Sequence, residues 1–341
     1  MKKIIISMMA VAALAACTKS EVAFEQPDAI GFQVVTGKMT KAAVTDNVYP
    51  EALNMYVFAM TETDDEAANT TADYLKNAEF AKVLVTNGQN LWGGWLNDAA
   101  YPYYWPNVKK LYFAGVSKSG NVNNGATPTY NDGTITIPGY QPGVGTTALG
   151  DNDLMWFPTT EESYGKGTVS VPVVMKHACS WITVKMAGDE WTANRYTITD
   201  IHIEGLTTKG DVALNTAAAW TLSKDDADKN KTFSVYSNTT GKVLSTTATE
   251  VGFENIANNT VVLPEQVPGT LSITYNFESQ AGETITETVT GSLKFDGDNT
   301  WAAGTHYIYT VTITASQILI APTVQTWTPS PAEGGHGVTV Q

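Results

Sequence analysis

Tyr307-Ile308-Tyr309-Thr310-Val311-Thr312-Ile313 reads as one half-buried strand, because Tyr307, Tyr309, Val311 and Ile313 fall on alternate positions and leave the backbone on one side. The same period of two runs through Val169-Val171-Val173, Ile182-Val184-Met186 and Leu271-Ile273-Tyr275-Phe277, and Ile198 to Ile203 is similarly apolar. Turn chemistry such as Asn131-Asp132-Gly133 and Asp296-Gly297-Asp298-Asn299 separates these short runs. Many short strands joined by such turns predict an all-β chain of antiparallel sandwiches with few short helices. The best helix candidate is Asp65 to Phe80, where Ala67, Ala68, Ala72, Leu75 and Ala78 would line one face, although Asn69-Thr70-Thr71 at its centre favours helix poorly.

The chain opens quite differently. Met1-Lys2-Lys3 is basic, Ile4 to Leu14 is apolar but too short to span a bilayer, and Leu14-Ala15-Ala16-Cys17 places small side chains before a cysteine. Residues 1–16 therefore read as an export signal, with Cys17 as the thiol that receives diacylglycerol. Lipoproteins of this type carry two or three acyl chains, palmitate among them, and two suffice for stable anchoring. Thr18 to Pro27 is polar and suits a mobile tether.

Removing 16 of the 341 residues leaves 325, enough for two domains with cores of their own. A loop-rich stretch from Tyr140 to Lys166, carrying Pro142, Gly143, Gly145, Gly150, Pro158 and Gly165, places the expected boundary near Lys166. The division is then 17–41 for the tether and first strand, 42–166 for the first sandwich and 167–341 for the second. A net charge of -14 with 20 Lys plus Arg argues against partners held through phosphates, nucleic acid above all. With Cys17 lipidated, the second of the two cysteines, Cys179, is left without a disulfide or a cysteine-based metal site.

Signals for chemistry are weak. The four histidines, His177, His202, His306 and His336, are scattered, with no second His or carboxylate at metal-site spacing beside them. Gly143 to Ala148 resembles a dinucleotide loop only loosely, since it follows Pro142 rather than a strand. Asp226-Ala227-Asp228-Lys229-Asn230 begins like a calcium loop, but Lys231 and Ser237 stand where Gly and Glu are needed. No nucleophile elbow or Walker loop occurs, so no enzyme, metal or cofactor is expected. Trp92, Trp95, Tyr101, Tyr103, Tyr104 and Trp105 form the one dense aromatic cluster, which serves either as core or as a platform for sugars.

Several segments, taken in order, resemble the fimbrillin family of Bacteroidetes, the subunits of type V pili, and its Mfa-like branch in particular. They are Ile30-Gly31-Phe32, Thr40-Lys41-Ala42, Tyr104-Trp105-Pro106 with Leu111-Tyr112-Phe113-Ala114, Asp153-Leu154-Met155-Trp156, His177 to Val184, Val262-Leu263-Pro264-Glu265-Gln266 and Trp301 to Tyr309. The resemblance implies two tandem transthyretin-like, Greek-key sandwiches and a role in assembly. In that family a surface lipoprotein is cut by a trypsin-like protease after Arg or Lys, its first strand leaves, and a strand from another subunit fills the groove.

On these residues the implied cut falls between Lys41 and Ala42, with Lys38 as a competitor, whereas most of the family carries Arg there. Ile30, Phe32 and Val34 alternate and would point into the first core. The segment 315–341, with Ile318, Ile320, Val338 and Val340, either swings out as a donor strand or closes its own domain. The expectation is a tip or accessory pilus subunit at the outer membrane and in the fimbrium, partnered by other subunits, the protease and the membrane lipid. The alternative is a glycan-binding lipoprotein of the outer-membrane surface.

Overall fold

In the computed structural model the described residues are 30–36, 49, 53–63, 67–82, 95–96, 103–106, 110–120, 122, 125–142, 153–163, 171–251, 260–294, 300–314 and 317–326. The first half contributes β1 (Phe32–Thr36), β2 (Met55–Thr61), β3 (Leu75–Lys82), β4 (Trp95–Leu96), β5 (Lys110–Ser117), β6 (Thr129–Asn131), β7 (Thr134–Tyr140), β8 (Met155–Ser163) and β9 (Val171–His177). The second contributes β10 (Ser180–Gly188), β11 (Thr197–Leu206), β12 (Gly210–Leu214), β13 (Ala218–Leu222), β14 (Lys231–Val243), β15 (Thr249–Val251), β16 (Thr260–Val262), β17 (Thr270–Glu278), β18 (Thr284–Ser292), β19 (Thr305–Ile313) and β20 (Ile318–Thr326). The fold is all-β. A short 3-10 turn at Asp226–Asp228 sits on the exposed tip where the calcium-like run lies.

Seven strands close into a barrel in the order β1-β4-β3-β2-β5-β8-β9. Closure leaves no free edge while all seven are present. Met55, Val57, Phe80, Leu111, Phe113 and Phe157 fill its interior, joined by Phe32 from β1 and Val171, Val173 and Met175 from β9. The first unit thus draws its last strand from beyond the boundary expected near Lys166.

β3 corrects the expected helix over Asp65 to Phe80. Val57 pairs with Ala78 and Ala59 with Leu75, so Lys76 and Asn77 bulge opposite Phe58. Asn77 adopts the left-handed conformation the bulge requires, at φ 59. Leu75 and Ala78 then both face inward, three residues apart. A bulged strand here mimics a helical period.

The second unit is a sandwich. β15 and β16 share one edge of β10, followed by β19 and β20; the facing sheet runs β14-β11-β17-β18. Its core contains Ile182, Ile201, Ile273, Trp301, Tyr309 and Val311. Pairing is antiparallel except between β1 and β9 and between β10 and β19. Tyr307, Tyr309, Val311 and Ile313 are buried on one face of β19, as their alternation requires.

A fourth sheet, β13-β12-β7-β6, crosses between the halves: Val212 pairs with Ile137, Ala213 with Thr136 and Leu214 with Ile135. Its apolar side chains share a third core with barrel residues Phe58, Tyr112 and Trp156 and with Val261 and Leu263 of the second unit. Trp220 on β13 donates its indole N–H to the Ala178 carbonyl at 2.7 Å, next to the point where the chain passes from β9 to β10.

Candidate functional site

The candidate site is the seat of β1. Ile30 and Phe32 are 0 % exposed and Val34 is 4 % exposed, so the three alternate side chains point inward as expected. Phe32 meets Phe80 at 5.0 Å and Phe113 at 5.3 Å between ring centres, both edge to face, and Phe157 at 6.1 Å. Edge-to-face contacts align the positive ring edge with a negative ring face and add to burial.

The backbone of β1 is held unequally on its two sides. Parallel to β9, five consecutive pairs run from Phe32 with Val171 to Thr36 with Met175. Towards β4 the register holds Phe32 opposite Trp95 alone. Just before the strand, the Ile30 N–H donates to the Tyr103 carbonyl at 2.7 Å, and the Gly31 carbonyl accepts from the Val171 N–H at 2.8 Å. Without β1, the barrel would have two unpaired strand edges flanking an apolar slot floored by Phe80, Phe113 and Phe157.

This geometry assigns the described part of the aromatic cluster to the β1 seat. Trp105 is buried edge-on against Phe113, the Tyr104 carbonyl accepts from the Tyr74 hydroxyl, and Tyr103, 39 % exposed, lies 6.3 Å from Phe80. Trp92 and Tyr101 lie outside the described residues, and of Trp95 only the backbone is described. A sugar platform at this place thereby loses Trp105.

Of the other expected site residues, Cys17, Lys38, Lys41, Ala42, Val338 and Val340 lie outside the described residues. Ile318 and Ile320 sit on β20, which pairs with β19 over nine residues from Thr326 opposite Thr305 to Ile318 opposite Ile313. Both isoleucines and Val324 pack against the second core, half-buried, while Leu319 is exposed. β20 is an edge strand of its own domain, and Pro322 is tolerated there because an edge strand has a side that needs no N–H.

Two of the histidines, His177 and His202, have carboxylate neighbours. His177 Nδ1 pairs with Asp153 Oδ2 in a buried contact, and His202 Nδ1 lies 2.6 Å from Asp200 Oδ2, with Glu204 3.9 Å from its other nitrogen. The second trio was legible, because residues two apart on a strand share a face. Among the described residues no group of three or more such side chains is placed to hold a metal ion. His306 stacks flat on Trp181 at 3.6 Å, and its Nε2 lies 2.8 Å from the Thr183 hydroxyl. Burial, with Lys185 nearby, holds this imidazole down at about 4. Cys179 is a buried free thiol whose pKa burial pushes well up, leaving it unreactive.

A two-unit β-protein whose first barrel is completed by a strand next to the amino-terminal segment is the class this fold defines. A profile of the fimbrillin-like family matches residues 40–327, and the chain belongs to that family. No curated protein matches it in sequence. Among solved structures it is similar to a fimbrial protein from Bacteroides vulgatus, at 16 % identity and a TM-score of 0.52, covering 88 % of this chain and 100 % of the other. It is also similar to a candidate cell adhesion protein from Bacteroides uniformis, at 16 % identity and a TM-score of 0.51, covering 88 % and 98 %. Likeness at that identity speaks for the fold.

Proposed function

We propose that the chain is a structural or adhesive subunit of a type V pilus, in a tip or accessory position, assembled by strand replacement at the β1 seat. It is exported as a lipoprotein on Cys17 to the outer-membrane surface, and a trypsin-like protease cuts after Lys41, less readily after Lys38. Lipid and β1 then leave together, since both precede the cut.

The observation that carries this reading is the seating of β1. Its three inward side chains account for about 5–9 kcal/mol of burial, comparable with the stability of a whole domain. A barrel deprived of them is unstable until another strand restores both the ladder and the side chains, and main-chain bonding with alternate pockets is how strand addition achieves affinity and register. β20, already packed on its own core, favours an acceptor that donates no strand, which is what a terminal subunit needs.

The test is limited digestion of the purified precursor with a lysine-specific protease, followed by incubation with a partner pilus subunit. The expected result is a new amino terminus at Ala42, loss of residues 30–36 and stable association with the partner. A digest that sheds β1 yet stays folded and monomeric would overturn the reading.

A further inference from the structure

At one end of the second sandwich, the turn between β10 and β11 and residues of β14, β17 and β18 line an open cleft of roughly 970 Å³. Ser180, where β10 starts, follows directly on the barrel strand β9, and the cleft opens beyond Gly188, where β10 ends. The cleft thus lies at the end of β10 remote from β9.

Trp191 stands at its rim, 49 % exposed, on a turn that is firmly pinned. Asp189 Oδ1 accepts from the N–H groups of Trp191 and Thr192 at 3.0 and 2.8 Å. The Thr192 hydroxyl, buried, donates to the Ile313 carbonyl at 2.7 Å, and the Asn194 N–H donates to Leu244 at 2.8 Å. The turn therefore presents a large apolar ring to water in a fixed position. Preorganisation of this kind lowers the entropy cost of binding.

Behind Trp191 the wall is aromatic. Tyr196 meets it edge-on at 6.1 Å and stacks on Phe277 at 5.1 Å and on Tyr275 at 4.8 Å. The remaining lining is polar but mostly uncharged, including Asn194, Thr197, Asn276 and Gln280. Flat rings beside amides and hydroxyls suit a sugar, which offers C–H faces and hydroxyl edges together.

One residue narrows the class. Arg195 is the single arginine among the 20 Lys plus Arg of the chain, and its guanidinium lies over the Trp191 ring at 5.0 Å. No ion pair engages it among the described residues, although the chain carries a charge of -14. Asp189 is committed to the turn, and Glu278 is the acidic side chain of the lining. A guanidinium over an aromatic ring still offers a planar fork of N–H donors suited to a carboxylate.

We infer that this cleft binds a glycan whose contacting sugar carries a carboxylate, the ring stacking at Trp191 and the acid meeting Arg195. The inference stands apart from the processing of β1, and its test involves no cleavage. Full-chain protein is titrated by calorimetry with 3′-sialyllactose, with trigalacturonic acid and with lactose as the neutral control. The two acidic probes separate a sialylated from a uronic-acid source. Saturable binding of at least one acidic sugar is expected near ~1 mM, the strength of a single sugar site. Trp191→Ala should weaken it at least ~10-fold, and Arg195→Gln should remove the preference over lactose. Trp191→Phe and Arg195→Gln carry the test if Trp191→Ala does not fold. Absence of binding by both acids, equal affinity for lactose, or binding untouched by the Trp191 and Arg195 variants would overturn the inference.

Discussion

Phe32 contributes more to the first barrel than any backbone contact of β1, because three phenyl rings close on it. Phe32→Ala is expected to destabilise the barrel by about 3–5 kcal/mol, read as a lower urea midpoint of the uncut precursor. Gly115 shows the opposite constraint: a Cβ there would stand 2.3 Å from the Phe157 ring and 3.0 Å from the Tyr56 carbonyl. Gly115→Ala should cost about 1–3 kcal/mol through overpacking of the same core. His306 adds a pH dependence. Its folded pKa of about 4 is below the ordinary value of 6.5, so protonation favours the unfolded chain. The stability this represents is complete above pH 6.5 and is lost as the pH falls towards 4, about 2 kcal/mol at pH 5. His306→Gln should flatten that limb of the urea-stability profile.

At the scale of strands, β1 and β20 behave as opposites. β1 contributes three fully inward side chains to a closed barrel; β20 lies along a sheet edge with half-buried ones. Thr310 and Ala321 face each other across β19 and β20. Directly opposed residues of an antiparallel pair lie within disulfide range. Thr310→Cys with Ala321→Cys, oxidised, should therefore lock β20 in place. An acceptor-only subunit so locked is expected to associate with its partner after lysine-directed cutting as the unlocked one does; loss of association would make β20 a donor. The alternation of Ile30, Phe32 and Val34, like that of β19, was legible in the sequence. β3 was not, because the bulge at Asn77 resets the period and only the partner strand β2 shows where the extra residues fall.

For the whole molecule, the crossing sheet is what joins the two units. β7 and β12 come from different halves, yet their ladder and the Tyr140 and Trp220 rings, 5.7 Å apart edge to face, tie both units to one apolar layer. Trp220→Ala removes a buried ring and its bond to Ala178, and should lower stability by about 3–5 kcal/mol. Calorimetry is expected to show the coupling between the units weakened, with one melting transition of the parent separating into two. The joint also sets direction: the β1 seat lies in the barrel, while the Trp191 cleft opens at the far end of β10.

Whatever depends on neighbours along the chain could be read from residue order. Alternation made the chain all-β, turn residues bounded the strands, and the first residues set an export expectation, because period, turn chemistry and signal features are local. Which strands meet became visible only in the folded chain. That β9 completes the first barrel, that β10 pairs in parallel with β19, that His177 reaches Asp153 and that Arg195 lies over Trp191 beside Tyr196 and Phe277 all depend on how distant segments pack. Pairing energy depends on the partner as much as on the strand, so residues far apart in sequence carry no local mark of the contact they make.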